Sequence, residues 1–354
     1  MEVRDVLKRL VEAPSVPGFE DEVRRIIIEE FRNLNLQVEV DIMGNVIGLR
    51  EGEDNPKIMV AAHMDQVGLM VTHIDDDGYL RFKARGFDQR VLYGLQVLVH
   101  GEKGKLFGVI GAKPAHLTKP DEREKVVKVE DMAIDIGAAS KEEVLKLGIK
   151  PGTVVTPILA LREMGNKDRV ISVGLDDKAG VAAIIKAMEL LGKEKLPATV
   201  YAVATCQEEV GLRGAITATY KIKPHVGIAI DVTHASAYNV DKKLVSGIEL
   251  GKGPAIGIGP NFHPALWKLA EEICAEKGIP YQREPIPGSS GTDAWVIQVS
   301  REGVATSLIS IPLRYMHSPG EVASLSDIEN AAKLIAELII KLSALNWRKL
   351  LSRT

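Results

Sequence analysis

Two cysteines, Cys206 and Cys274, are all that this 354-residue chain contains. So few thiols exclude a disulfide framework and suit a reducing compartment, so the expected location is the cytoplasm. Aromatic residues make up only 5% of the chain, which leaves few surfaces for stacking sugar rings. No apolar run approaches the roughly 20 residues of a membrane-spanning helix. The first residues carry no signal-like apolar core. Instead Val3, Val6, Leu7, Leu10 and Val11 recur at helical spacing and predict a packed first helix. A formal net charge of -3 gives no electrostatic basis for nucleic acid or an anionic membrane, so neither is an expected partner. There is no Gly-x-Ser-x-Gly elbow. The one phosphate-loop-like stretch, residues 251–257, lacks the Gly-Lys-Ser/Thr ending and contains Pro254, which has no amide to donate.

What is present reads as a globular α/β protein. With 45% apolar and 26% charged residues the composition is that of an ordinary globular chain, too long for one small core. A second amphipathic helix is predicted over residues 20–33. Residues 37–40, 45–49 and 57–62 read as strands, the last continuously apolar as in a central strand. The texture changes over residues 69–157, where short strands at 71–74, 79–82, 97–100, 105–110 and 153–156 surround a helix near 141–147. That block predicts a β-rich insertion, with residues 119–129 as an exposed polar loop. Alternation of strand and helix then resumes: a helix over 179–191, strands at 198–204 and 226–230, and a last helix to about residue 342. Ser326 and Glu329 form a capping-box pattern at its start. The expectation is a mixed, mostly parallel sheet flanked by helices, with ligands at the carboxyl ends of its strands.

Several chemically capable residues fall at those strand ends or in Gly/Pro-rich loops: His63 and Asp65, Asp176 and Asp177, Glu208 and Glu209, Asp231, and His317. Residues i and i+2 at a strand end share a face, so Asp65 is expected to hold one nitrogen of His63 while the other binds a metal ion. Asp176 has two oxygens with which to bridge two ions. Asp177 beside it suits a helix cap. Neighbours on an extended segment point apart, so of Glu208 and Glu209 one can bind metal while the other faces the open site as a base. Asp231 would be a terminal ligand, and His317 would close the second site. Taken jointly, imidazole and carboxylate donors suit Zn²⁺, Co²⁺ or Mn²⁺. Two divalent cations against Asp176, Glu209 and Asp231 leave about one net positive charge, with Glu208 free to accept a proton from water. The implied reaction is metal-assisted hydrolysis, most naturally of an amide.

The ordered set of segments at residues 62–68, 174–180, 207–211, 231–235, 251–254, 291–294 and 316–319 resembles the M42 metallo-aminopeptidase family, which includes the tetrahedral (TET) aminopeptidases. The resemblance runs over nearly the whole chain. It implies His63, Asp176 and Asp231 on one ion, Asp176, Glu209 and His317 on the other, Glu208 as catalytic base and Asp65 behind His63. Two divalent ions per subunit, Zn²⁺ or Co²⁺, are implied as cofactors. So are a cis peptide at Asp176–Asp177, a catalytic domain from residues 1–68 and 158–354, and an inserted dimerisation domain, PDZ-like or barrel, from 69–157. The implied assembly is a dodecamer built from dimers, and the implied substrates are short peptides. Lys178 stands where many relatives carry Arg, with no expected effect on metal binding. Residues 251–254 and 291–294 are expected to be site-lining turns, and His234 to stand behind a ligand. His73, His100, His116, His225 and His263 follow no pattern.

Other chemistries compete. A carboxypeptidase or deacylase would need a cation for the substrate's carboxylate, which Arg213 or Arg314 could supply. A glycosidase would leave two histidines unexplained. A metal-free scaffold would leave every acidic group above unused.

Overall fold

The computed structural model describes residues 1–53, 56–192, 195–238 and 240–352. Helices α1 (Val3–Glu12) and α2 (Asp21–Asn33) precede strands β1 (Gln37–Val40), β2 (Val46–Arg50) and β3 (Lys57–His63). Six strands then close a barrel: β4 (Gly68–Ile74), β5 (Leu80–Arg85), β6 (Gln96–Gly101), β7 (Gly104–Ile110), β8 (Ile134–Asp135) and β9 (Val154–Pro157). Helix α3 (Lys141–Lys146) lies between the last two. The main sheet resumes with β10 (Arg162–Glu163), β11 (Arg169–Ser172), β12 (Thr199–Thr205), β13 (Val226–His234), β14 (Ala255–Ile258), β15 (Gln282–Pro285), β16 (Ala305–Arg314) and β17 (Glu321–Ser324). Its helices are α4 (Leu175–Leu190), α5 (Arg213–Ile222), α6 (Pro264–Lys277), α7 (Ala294–Gln298), α8 (Leu325–Ala344) and α9 (Trp347–Leu350). None of the described helices is long and apolar enough to cross a membrane.

The strand order is β1-β2-β12-β3-β13-β16-β17-β11-β10, with β14 beside β16 and β15 beside β14. The four central strands β12, β3, β13 and β16 run parallel, and antiparallel pairs extend the sheet outward. This is the expected mixed sheet, and its centre explains the continuous apolar runs, because both faces are covered. Along β3, Ile58, Val60 and Ala62 enter one core with α1, α2, α4 and α8. The alternate residues Met59 and Ala61 enter a second core with Ala215, Ala218 and Ile297. Helix α4 is buried on nearly every side, packed under α8 and against α1. The barrel has its own interior of Leu69, Val71, Leu80, Val97, Val99, Ile110, Ile134 and Val155. An ion pair from Lys105 Nζ to Glu22 Oε2, 2.8 Å, joins it to α2.

Two expectations need correction. The final helix is not opened by a capping box at Ser326. It starts at Leu325, and Asp168, distant in sequence, accepts the Ser326 N–H at 2.8 Å and so caps its first turn. The turn Gly251–Pro254 does not line the site. Asp327 on α8 pins it, accepting the N–H groups of Gly251 at 2.6 Å and Gly253 at 2.8 Å. Residues 119–129 are irregular and mostly exposed, as their polarity predicts. Helices α5 to α7 and strands β14 to β17 are not among the elements expected from the sequence and are visible only in the structure.

Candidate metal centre and active site

The four parallel strands deliver their carboxyl ends to one place. His63 ends β3, Glu208 and Glu209 follow β12, Asp231 lies within β13, and His317 occupies the connection after β16. Asp176 enters from the start of α4, where Asp176 and Asp177 depart from helical geometry and the peptide between them is cis. Asp176 presents one oxygen to each histidine: Oδ1 lies 3.1 Å from His63 Nε2 and Oδ2 lies 3.0 Å from His317 Nε2. Asp231 Oδ1 is 3.9 Å from His63 Nε2, and Glu209 Oε1 is 3.3 Å from His317 Nε2. Two triads therefore share Asp176: His63, Asp176 and Asp231 form one, and Asp176, Glu209 and His317 the other. The potential donor atoms within each lie within 4.8 Å of one another. His63, Glu208 and Glu209 also meet that distance.

The backbone around these groups is held with equal care. Asp65 is fully buried, and its two oxygens accept the N–H groups of Glu208 at 2.9 Å and Glu209 at 3.1 Å. The nearest partner of His63 Nδ1 is the backbone carbonyl of Asp65 at 3.1 Å, while the Asp65 carboxylate stands 3.7 Å away. Asp65 thus stands behind His63, but through its main chain, because its side chain turns to the Glu208–Glu209 segment. Gln207, Tyr315 and His317 all take positive φ, an uncommon conformation for residues with a side chain, costing on the order of 1–3 kcal/mol each. Gly86, at the end of the β5 hairpin arm, has φ +82°, and a Cβ there would fall 2.0 Å from Val67 Cγ1. Only glycine lets the barrel approach the site this closely.

Burial and crowding set the electrostatics. Burial alone would lower the pKa of His63, but Glu208, Asp176 and Asp231 outweigh it and lift it well above the usual imidazole range. Asp176 and Glu209 push His317 up to about 11. Burial pushes Glu208 up to about 10, with His63 opposing and Asp231, Asp293 and Glu209 adding to the rise. Burial also raises Asp231 well above the carboxylate range. Asp176 moves the other way despite its burial, because both histidines stabilise its charge. A cluster of acids that draws protons onto two imidazoles is a cluster short of positive charge. Glu209 Oε1 is buried, and its nearest positively charged neighbour is His317 Nε2 at 3.3 Å. Cations seated among these donors would supply what is missing, so the residues fit a pair of hard or borderline divalent ions.

The cavity over these groups encloses about 270 Å³ and is walled by the two triads with Glu208, Thr233, His234, Glu284, Thr292 and Met316. Among the described residues, no Lys or Arg lines it. Arg213 instead donates to Gln207 Oε1 at 2.8 Å, and Arg314 to the Ser236 carbonyl at 2.7 Å. A larger hollow on the barrel, about 460 Å³ between Thr72 and Met132, gathers no histidine. His234 is exposed on the cavity wall rather than set behind a ligand. Gly291 and Thr292 do line it, as expected. Lys178 is wholly buried beneath the site, where Nζ donates to the Ala13 carbonyl at 2.9 Å and to Gln66 Oε1, and burial lowers its pKa to about 7.

Two acidic residues here, Glu284 and Glu321, escape a reading of the sequence, and a third, Asp293, falls within the expected turn 291–294 without being singled out. Glu284 faces the cavity from β15 and accepts the hydroxyls of Thr233 and Ser310. Asp293, buried at the start of α7, accepts the Thr205 hydroxyl at 2.6 Å. Glu321 opens β17 and is fully buried. An acid at the head of an apolar strand was a usable signal for Glu321, and nothing local marks Glu284.

The family model described as M42 glutamyl aminopeptidase matches residues 44–334, and the chain belongs to the M42 family. It is 40% identical over 347 residues to a lysyl aminopeptidase of Pyrococcus furiosus, covering 97% of this chain and 98% of that protein. It superposes on the aminopeptidase APDkam598 of the archaeon Desulfurococcus kamchatkensis with TM-score 0.87 and 40% identity, over 97% of this chain and 98% of that one. It also matches the TET peptidase PhTET1, described as a dodecamer, with TM-score 0.86 and 36% identity, over 96% of this chain and all of that one.

Proposed function

We propose that this chain is a two-metal aminopeptidase that removes N-terminal residues from short peptides, with His63, Asp176 and Asp231 holding one divalent ion and Asp176, Glu209 and His317 the other. One observation carries the reading: the Asp176 carboxylate turns an oxygen to each of two histidines. When bound, Zn²⁺ or Co²⁺ would supply Lewis-acid polarisation of the scissile carbonyl and lower the pKa of water. Glu208 faces the cavity as general base, takes the proton of the attacking water and returns it to the leaving amine. Asp65 fixes the direction of Glu208 through its main chain. A cavity rich in carboxylates and without Lys or Arg in its wall favours a free α-ammonium over a C-terminal carboxylate, which separates this reading from a carboxypeptidase. Family membership leaves the side-chain preference open, since the family description says glutamyl and the Pyrococcus furiosus relative is called lysyl.

Residues 1–68 and 158–354 form the catalytic unit in this reading, and 69–157 the dimerisation domain of a homododecamer in the cytoplasm. The likeness to PhTET1 supports that assembly. The test is release of free amino acids from short peptides, unblocked and N-acetylated, before chelation, after it, and after return of Zn²⁺ or Co²⁺. Chelator-sensitive cleavage confined to unblocked peptides is expected. Equal cleavage of acetylated peptides would overturn the polarity, and activity indifferent to chelation would overturn the metal chemistry.

A further inference from the structure

The two halves of the donor cluster are built differently. His63 ends β3 and Asp231 lies in β13, parallel neighbours paired as far as Ala61 and Ala229. Beyond that point sheet register still holds His63 beside Thr205 of β12 and Asp231 beside Ser310 of β16. His317 and Asp176 belong to no ladder. One sits in the connection between β16 and β17, with φ +58°, and the other at the irregular start of α4. Something else must set their distance.

Glu321 is placed to do so. Its Oε1 accepts the His317 N–H at 2.9 Å, and its Oε2 accepts the N–H groups of Leu175 at 2.8 Å and Asp176 at 3.4 Å. The residue is fully buried. Its own backbone is fixed by the register of β17 on β11, where Glu321 pairs with Ser172, three residues before Leu175. One carboxylate thus joins the start of α4 to the His317 connection just beyond the end of the β11–β17 ladder, much as Asp65 joins the end of β3 to the Glu208–Glu209 segment.

We propose that Glu321 is a positioning residue that assembles the Asp176–Glu209–His317 half of the centre, and that affinity for the ion held there depends on it. The inference rests on the two-ion reading above. Groups that orient ligands without touching the ion commonly change metal affinity about 10–100-fold when replaced. Glu321→Gln preserves volume but offers one acceptor oxygen where the carboxylate has two, so its amide must turn N–H groups toward one of the backbone N–H donors it should accept.

The experiment is a Co²⁺ titration of the metal-free full-length protein, followed by visible absorption and calorimetry. The wild type is expected to take up two ions. Glu321→Gln is expected to bind the first as the wild type does and the second about 10–100-fold more weakly. In a His317→Ala background Glu321→Gln should weaken that ion less than it does in the wild type, because of the two donors that Glu321 positions only Asp176 then remains. Should Glu321→Gln fail to fold, Glu321→Asp keeps both acceptors on a shorter stem, and it too should weaken only the second ion. Wild-type affinity for both ions in a folded Glu321 variant would overturn the inference, as would equal weakening of both. A wild type that takes up fewer than two ions would overturn the two-ion reading, and this inference with it.

Discussion

Asp65 Oδ1 accepts the backbone N–H of Glu208 at 2.9 Å, which ties the end of β3 to the segment that carries the proposed base. The contact is main chain to side chain, so it fixes where Glu208 starts and leaves its carboxylate free to face the cavity. In the proposed mechanism Asp65 therefore acts on position, and Glu208 on protons.

Glu208→Gln should separate the two. Burial and neighbouring acids raise the Glu208 pKa, and cations seated in the two triads would oppose that rise and leave the carboxylate able to accept a proton. The amide cannot accept one. Turnover should fall on the order of 10²–10⁴-fold while both ions remain, measured by peptide hydrolysis and by metal content. Surviving activity would remove Glu208 from its role.

Asp65→Asn leaves one acceptor for two N–H groups and aims an amide donor at the other, a mismatch of about 1–3 kcal/mol. A smaller kcat with little change in KM is the expected pattern, since the Glu208 and Glu209 segment shifts without altering the cavity's walls. Unchanged kcat in a folded variant would show that Glu208 needs no such support.

Glu284 lies on the cavity wall and is not a member of either triad. Its charge is expected to help receive the substrate's ammonium group. Hydrogen bonds to charged groups contribute about 1.5–3 kcal/mol, so Glu284→Gln should raise KM roughly tenfold or more with a lesser effect on kcat. An unaltered KM for unblocked peptides would leave Glu284 as a brace for Thr233 and Ser310 only.

Acid stability depends in part on the barrel. His100 Nε2 shares a hydrogen bond of 2.9 Å with Thr156 Oγ1, and its Nδ1 is buried without a partner. Burial, with Lys105 adding and Glu22 opposing, lowers its pKa from 6.5 to about 4. Between those values the unfolded chain binds more protons than the folded one. The contribution is therefore complete above the unfolded value and lost as pH falls toward the folded one. His100→Gln should flatten that part of the decline, seen as a smaller drop in melting temperature between neutral pH and about pH 4. Parallel declines in the two proteins would assign the acid loss elsewhere.

Much of the centre was legible because its residues sit beside strong local signals. His63 ends a continuous apolar run, Glu208 and Glu209 follow another, and Asp231 interrupts a third. Those runs placed His63, Glu208 and Glu209 at strand ends without any knowledge of strand order, whereas β13 continues past Asp231 to His234. The Ser326 capping pattern misled because a side chain from residue 168 reaches the helix first. Residues 251–254 misled because a glycine-rich turn has the same composition whether it lines a site or is pinned by an aspartate on a helix.

The sequence by itself determined the kind of element at most positions, the identity of the donors and their order along the chain. These follow from local periodicity and side-chain chemistry, which act within a few residues. Only the tertiary structure decided which oxygen of Asp176 faces which histidine, that Asp65 supports His63 through its carbonyl, and that Glu321 joins residues 175, 176 and 317. Hydrogen bonds and charge pairs act over about 3 Å, and the contacts of Asp176 with His63, His317 and Glu321 join atoms more than 100 residues apart, so strand register and the buried carboxylates that brace the loops set distances that local sequence does not carry.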